Sequence, residues 1–347
     1  MLQLARLRIA ARGCSVRRGG GSLERRPDVD QRALHGMLRR VLGPELTVAR
    51  TPVGIAAQVY RVHAAGRVLY ARIAEEDHDD LSVDAALLEH LRALGLRVPE
   101  VVHVEPFEQA LSRSVLITGE IPGQPLARCR DQRAARRVAR AAGRDLAVLN
   151  GVGVRGFGWV RRQAPGWPLR ATSRTYAEFV TSSLPDPWPG PLGELFTFAE
   201  LDRLWALVDR ERRRDLAYAT LAHGDFDTTA IFQVDGHYSG LIDFGEIRGT
   251  EPLFDIGHFS LWEHQRTPVP LLDDLLAGYG EVAALPADHE ELVCRSATLL
   301  GLRQLARWLG PPRSLQPDHP LLSGRVARLR RLLGMPGIGP DDSRVPG

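Results

Sequence analysis

HGDFDTTAIFQVDGHYSGLIDFGEIRG, residues 223–249, is the stretch on which the reading of this chain turns. AIFQV (230–234) and HYSGLIDF (237–244) are rich in β-branched and aromatic residues, and the Asp235-Gly236 pair between them is a strong hairpin signal. A turn centred on that pair sets Asp243 across from Thr228, with directly opposed side chains about 4.5–5.5 Å apart at Cβ. A one-residue bulge would shift this register, yet Asp243 would still end near the loop HGDFDTT. The expectation is that Asp225 and Asp227 converge with Asp243.

Carboxylates brought together repel and need cations, so such a group is either a divalent-metal site or a set paired with Arg. Phosphoryl transfer uses this arrangement: one carboxylate takes the alcohol proton or orients the hydroxyl, and another holds Mg2+ across the phosphates. Asp225 and Asp243 suit these roles. Asp227, standing before Thr228, also fits a plain turn-capping role.

Outward from this segment the chain alternates strand-like and helical patterns. Leu34, Met37, Leu38, Val41 and Leu42 fall at helical spacing, and Gly43 supplies a stop. QVYRVHAAG and RVLYARIAE read as paired strands, and DDLSVDAALLEHLRALG as a helix with Leu81, Ala85, Leu88 and Leu91 on one face, capped near Asp80 or Ser82. Two more strands are expected over 101–105 and 114–118. From about Leu126 the pattern turns helical, with a Gly-, Pro- and Trp-rich interval at 151–200.

Composition sets outer bounds. With 44% hydrophobic and 25% charged residues among 347, a substantial core is expected, as one large domain or two lobes. All 45 basic residues are Arg and Asn occurs once, which points to GC-rich coding in a bacterium. The net charge of only +3, much of it in the N-terminal arm, does not argue for a nucleic-acid partner. Three scattered cysteines form no metal or disulfide spacing, and no apolar run is long enough to span a bilayer. A cytoplasmic protein without a membrane partner is expected, with residues 1–29 an Arg/Gly-rich disordered tail.

The order of HGD, a DG hairpin, IDFGE and then PLFDIGHF (252–259) resembles the aminoglycoside phosphotransferase and choline kinase-like family. The resemblance covers roughly residues 45–300. It implies an α+β, two-lobed protein kinase-like fold: a small antiparallel-sheet lobe with one helix at 30–120, and a larger, mainly helical lobe at 121–347. It further implies ATP and Mg2+ as cofactors, Asp225 as the catalytic base and Asp243 as the Mg2+ ligand, with His223 bracing the loop. Asp255 resembles a position that supports the catalytic loop, and an N-cap role fits it equally.

By the same resemblance, PVGIAAQVYRV (52–62) would cover ATP, with Gly54 in it. Arg72 in VLYARI would be the phosphate-pairing cation, and Asp84 would stand where a Glu usually orients that cation. The backbone of VLITGEIPG (115–123) would hold the adenine through Thr118 and Gly119. One position departs: the usual metal-binding Asn five residues after the catalytic Asp is Ala230 here. Asp227 is then the favoured replacement ligand, ahead of Thr228 and Thr229.

The function implied is ATP-dependent phosphorylation of a hydroxyl on a small molecule, such as an aminoglycoside, another antibiotic, an amino sugar or choline. The alternative, motivated by Ala230, is a nucleotide-binding pseudokinase acting as scaffold or sensor. The acceptor cleft is expected from 151–200 and 258–300. Glu246, Glu251, Glu263, Asp273 and Asp274 are candidates to receive a cationic amino sugar, with solvated helix faces as the plainer reading.

Overall fold

Asp30 opens the first helix by accepting hydrogen bonds from the backbone N–H groups of Arg32 and Ala33 at 2.8 and 3.1 Å. The helix α1 (Gln31–Leu42) ends at Gly43, whose φ of +95° suits glycine. It buries Leu34, Met37 and Leu38, each worth about 1.5–3 kcal/mol relative to an exposed side chain. The computed structural model describes residues 27–51, 58–163, 167–182, 184–266, 269–310 and 315–334. Gly54, in the expected ATP-covering segment, and nearly all of the N-terminal arm lie outside the described residues.

After α1 come β1 (Leu46–Arg50), β2 (Gln58–Ala64), β3 (Arg67–Ile73), α2 (Ser82–Ala93), β4 (Val101–Glu108) and β5 (Arg113–Gly119). The strands form one antiparallel sheet in the order β1-β2-β3-β5-β4. Ala65 and Gly66, both at positive φ, make the turn between β2 and β3. Alternation along β3 then sorts its side chains. Leu69, Ala71 and Ile73 join the α1 core, so Tyr70 and Arg72 occupy the other face of the sheet. No side chain caps α2 at its N-cap Leu81; instead Asp80 Oδ1 accepts from the Ser82 N–H at 2.8 Å.

The larger lobe follows with β6 (Gln124–Pro125), α3 (Gln132–Asn150), β7 (Gly153–Val154), β8 (Phe157–Val160), β9 (Ala171–Ser173), α4 (Tyr176–Thr181) and α5 (Phe198–Arg212). Then come β10 (Ala219–Ala222), β11 (Ile231–Val234), β12 (His237–Leu241), β13 (Arg248–Thr250), α6 (Phe254–Arg266), α7 (Leu272–Gly280), α8 (His289–Leu309) and α9 (Pro320–Leu333). The resulting fold is α+β, two-lobed and protein kinase-like. Its second sheet, β7-β10-β13-β8-β9, recruits three short strands from the Gly-rich interval that sequence patterning left unassigned. Strands of two to four residues carry no readable period.

One core runs from α2 through the helices of the larger lobe: Leu87, Leu91, Val138, Leu146, Ile256 and Leu302 all belong to it. The α2 helix is therefore packed into the body of the protein rather than suspended from the small sheet. Among the described residues no helix is long and apolar enough to cross a membrane.

Helices α3 and α7 touch backbone to backbone. A Cβ added at Gly143 would lie 2.1 Å from the Leu275 carbonyl oxygen, and one at Gly278 would lie 1.8 Å from that of Arg140. Gly143→Ala and Gly278→Ala are each expected to lower stability by about 1–3 kcal/mol through overpacking. The double variant should cost less than the sum, because both act on one contact. Urea unfolding midpoints of the three variants check this.

Candidate active site

The catalytic-type loop leaves β10 at Ala222 and is fixed from below by Asp255 in the first turn of α6. Asp255, fully buried, accepts from the backbone N–H groups of His223 (2.8 Å) and Gly224 (2.9 Å) and from Asn150 Nδ2 (3.2 Å). Of its two expected roles, loop support is the one that its contacts fit. His223 Nε2–H donates to the Ile242 carbonyl at 2.8 Å, tying the loop to the hairpin. Gly224 has φ +88° and sits where a Cβ would be 1.9 Å from the Glu246 carbonyl oxygen, so only glycine fits.

The hairpin β11–β12 pairs Val234 with His237 and Gln233 with Tyr238, as the Asp-Gly turn requires. A bulge then shifts the register between Phe232 and Gln233, and the Ile242 N–H bonds the Ala230 carbonyl at 3.0 Å. Continued in that register, Asp243 comes level with Thr229 rather than Thr228. The carboxylates also divide differently from expectation. Oxygens of Asp225 and Asp227 group with a ring nitrogen of His258, all within 4.8 Å of one another. Asp243 is not in this group.

Asp227 is 1% exposed, and its Oδ1 accepts from the Thr229 N–H (2.7 Å) and hydroxyl (2.6 Å). Its contacts are those of a residue that braces the loop. Ala230 is buried, its N–H bonded to the Asp227 carbonyl at 3.1 Å, and its side chain offers no oxygen to a cation.

Asp225 is half exposed, with Oδ1 3.3 Å from Nε2 of the buried His258. Burial lowers the His258 pKa despite Asp225, Asp227 and Asp255 nearby, so the ring is neutral at pH 7. Its Nδ1 faces the Phe226 carbonyl at 3.0 Å and must carry the hydrogen; Nε2 accepts from Trp262 Nε1–H at 3.2 Å. Asp225 therefore stands beside a neutral ring whose Nε2 is engaged by Trp262. Sequence reading missed His258, because a histidine inside an apolar helical run carries no signal of what it faces.

Asp243 adopts φ +69°, ψ +59° and opens the single turn Phe244–Glu246. It is exposed, and no side-chain hydrogen bond caps the turn. A Cβ built on Gly245 would lie 3.4 Å from Asp243 Oδ1 and 3.6 Å from Arg72 Nη2, so the carboxylate and the guanidinium flank one glycine. Arg72 donates to Asp84 at 3.1 Å, the pairing expected from sequence. Arg162, which sequence reading did not single out, binds both Asp84 oxygens (2.8 and 3.1 Å) and reaches the Gly245 carbonyl at 3.0 Å. Asp84 is 1% exposed. Burial raises its pKa, but Arg162 and Arg72 more than offset this, and the net shift is downward.

Thr118 and Gly119 end β5, beside Tyr70 and Leu69 of β3. Tyr70 shares its face with Arg72 and donates through its hydroxyl to Glu120 at 3.2 Å. Gly119 also lines a cavity of about 660 Å³ with Arg67, Arg97, Glu100 and Ser239; Arg72, Asp225 and Asp243 do not line it. The candidate groups meet instead at Gly245, where Arg72 of the small-sheet strand β3 comes beside Asp243 of the larger lobe.

A kinase-like fold with a braced HGD loop, an exposed aspartate at a following turn and a paired strand cation defines a phosphotransferase. The chain belongs to the Phosphotransferase enzyme family, whose sequence profile matches residues 47–292. Solved structures agree on the fold. The chain is similar to the apo form of a thermostable mutant of aminoglycoside phosphotransferase APH(4)-Ia (TM-score 0.62, 17% identity, 86% of this chain and 98% of that one). It is also similar to a putative fructosamine-3-kinase from Haemophilus somnus 129PT (0.57, 14%, 87% and 97%) and to macrolide 2'-phosphotransferase MphH from Brachybacterium faecium (0.53, 16%, 90% and 99%). No curated protein sequence matches the chain significantly.

Removing the Asp84 charge leaves two guanidinium groups without their shared partner. Asp84→Asn is expected to destabilise the protein by about 3–5 kcal/mol. The sign with pH follows from the lowered folded pKa: the carboxylate's contribution is full above the unfolded value near 3.9 and is lost as pH falls through the folded one. Urea unfolding of wild type and variant from pH 7 down to 3 should therefore give curves that converge on the acid side.

Proposed function

We propose that this protein transfers the γ-phosphate of ATP to a hydroxyl group of a small molecule. The observation that carries this reading is the placement of Arg72 and Asp243 beside the same point over Gly245, a cation and an exposed carboxylate brought together from the two lobes. In this reading the Arg72 guanidinium binds phosphate oxygens in its planar fork. Tyr70, on the same face of β3, lies beside the adenine, and the backbone at Thr118 and Gly119 bonds it. The nucleotide-bound structures of APH(4)-Ia variants, with ADP or AMP-PNP and hygromycin B, support a nucleotide in this family's cleft.

The residues present fit a Mg2+ ion through Asp243, with Ala230 contributing nothing. Mg2+ usually retains several waters and takes one or two carboxylates plus phosphates, so a single protein ligand is compatible with it. When bound, the ion supplies neutralisation of charge on the phosphates. We assign Asp227 to bracing the loop instead. Asp225 orients the acceptor hydroxyl and takes its proton, with the His258 ring standing beside its carboxylate.

Asp225→Asn is expected to reduce Mg2+-dependent phosphate transfer by at least about 100-fold, the low end for a general base. Nucleotide affinity, read by calorimetry, should change little. Ala230 motivates the second reading, a nucleotide-binding pseudokinase. Ala230→Asn separates the two: a true enzyme should need less Mg2+ for half-maximal rate. ATP binding without transfer in both wild type and Ala230→Asn would favour the pseudokinase.

A further inference from the structure

The cavity of about 660 Å³ beside Gly119 is built from both lobes and is separate from the groups assigned to phosphate transfer. Gly119 pairs with Leu69, whose side chain joins the α1 core, so a Cβ there points away from the face that carries Tyr70 and Arg72. It would meet Glu100 Cβ at 3.5 Å and Arg67 Nη2 at 3.7 Å. The other walls are the end of α2 with the turn after it, the segment 119–122 that leads out of β5, and Ser239 of β12. The Ser239 hydroxyl donates to the Pro122 carbonyl at 2.7 Å, which ties the larger lobe to that segment.

Charge in this space is unbalanced. Arg67 pairs with Glu100 at 2.6 Å, and Glu120 accepts from Tyr70 (3.2 Å) and Arg61 (3.5 Å). Arg92 and Arg97, which also line the cavity, differ. Both are exposed, and each donates one Nη1–H to a carbonyl, that of Val98 at 2.8 Å and that of Tyr238 at 2.6 Å. Among the described residues neither guanidinium forms an ion pair, so most of its five N–H donors stay available. Arg97 is also held in place. Its guanidinium lies over the Tyr238 ring at 5.4 Å, and Asp145 accepts both the Arg97 backbone N–H (3.2 Å) and the Tyr238 hydroxyl (2.8 Å). A side chain fixed in advance loses little freedom when a ligand arrives. Leu96 and Val98, both buried, give the same cavity an apolar lining.

We propose that this cavity is a second binding site, for an organic phosphate monoester, and that filling it changes nucleotide affinity. Two guanidinium groups without a carboxylate match the charge of a dianion, and their planar forks suit phosphate oxygens. The apolar lining receives the organic part. Gly119 belongs both to this cavity and, in the reading above, to the backbone that bonds the adenine. The coupling therefore rests on the phosphotransferase reading, and the site itself does not.

Calorimetry of the full chain with phenyl phosphate tests the site, with AMP-PNP and Mg2+ at saturation so that the nucleotide position is filled. Submillimolar binding is expected. Arg92→Gln and Arg97→Gln should each weaken it by about tenfold or more, the effect of one lost charge-assisted hydrogen bond. Both side chains are exposed, and thermal midpoints close to wild type confirm that the variants fold. No binding to the wild type, unchanged binding in both variants, or benzoate binding as tightly as phenyl phosphate overturns the proposal. The coupling is read separately: saturating phenyl phosphate should shift AMP-PNP affinity by at least about fivefold, the low end of coupling between sites. Binding without that shift overturns the regulatory role. Failure of AMP-PNP to bind at all counts against the phosphotransferase reading, and the same variants titrated with phenyl phosphate alone then decide the site.

Discussion

A single buried carboxylate holds two arginines from opposite sides of the interlobe cleft. Asp84 on α2 receives Arg72 from β3 and Arg162 from the segment after β8, and Arg162 continues to the carbonyl of Gly245. A carboxylate this deep is expensive to desolvate, and it is tolerated because both oxygens are bonded by guanidinium groups. The cluster carries net positive charge, which leaves Arg72 able to serve a phosphate while still anchored. Lysine could not do this with one partner: the planar fork of Arg162 bonds two oxygens of Asp84 and a backbone carbonyl at once. Whatever pressure made every cation in the chain an arginine, this junction uses the guanidinium geometry.

Burial separates the carboxylates that hold the site from those that face it. Asp84, Asp227 and Asp255 are each 1% exposed or less and each accepts from N–H or O–H donors. Asp225 and Asp243 open to the cleft. The first group lowers the cost of a loop made of tight turns, where Gly224 must accept positive φ and Asp243 sits in the left-handed region. Asp243, on which the chemistry would depend, is one of the non-glycine residues held at positive φ.

Much of this was legible in the sequence, for reasons that can be stated. The hairpin followed from Asp235-Gly236, whereas Arg72 and Asp84 were singled out by the family resemblance, which implied the ion pair they form. The bulge was not legible: beside it Gly240 packs where a Cβ would meet the Arg97 carbonyl at 2.4 Å, a contact between segments far apart in sequence. Arg162 was invisible for a similar reason: its partner lies in another lobe, and its own neighbourhood has no period. His258 and Arg248 look like ordinary members of a helix and a short strand until the third dimension brings them under the loop. For Asp227, pattern alone cannot tell a carboxylate that caps its own turn from one that faces a cation, and in the fold its Oδ1 bonds Thr229 while it groups with Asp225 and His258.

Ala230 then becomes easier to understand. The position is closed on all sides by main-chain bonds, with its N–H on Asp227 and its carbonyl on Ile242, so the loop keeps its shape without any side-chain oxygen there. In the proposed reading, what an asparagine would add is one ligand to a cation that Asp243, phosphates and water would hold. Loss of one ligand weakens metal binding without dismantling the loop or the Arg72–Asp84–Arg162 junction, since none of those bonds passes through the Ala230 side chain. On the proposed function the substitution would therefore bear on how much Mg2+ the site needs, while the bracing of the loop around Asp225 by Asp255 and His223 is independent of it.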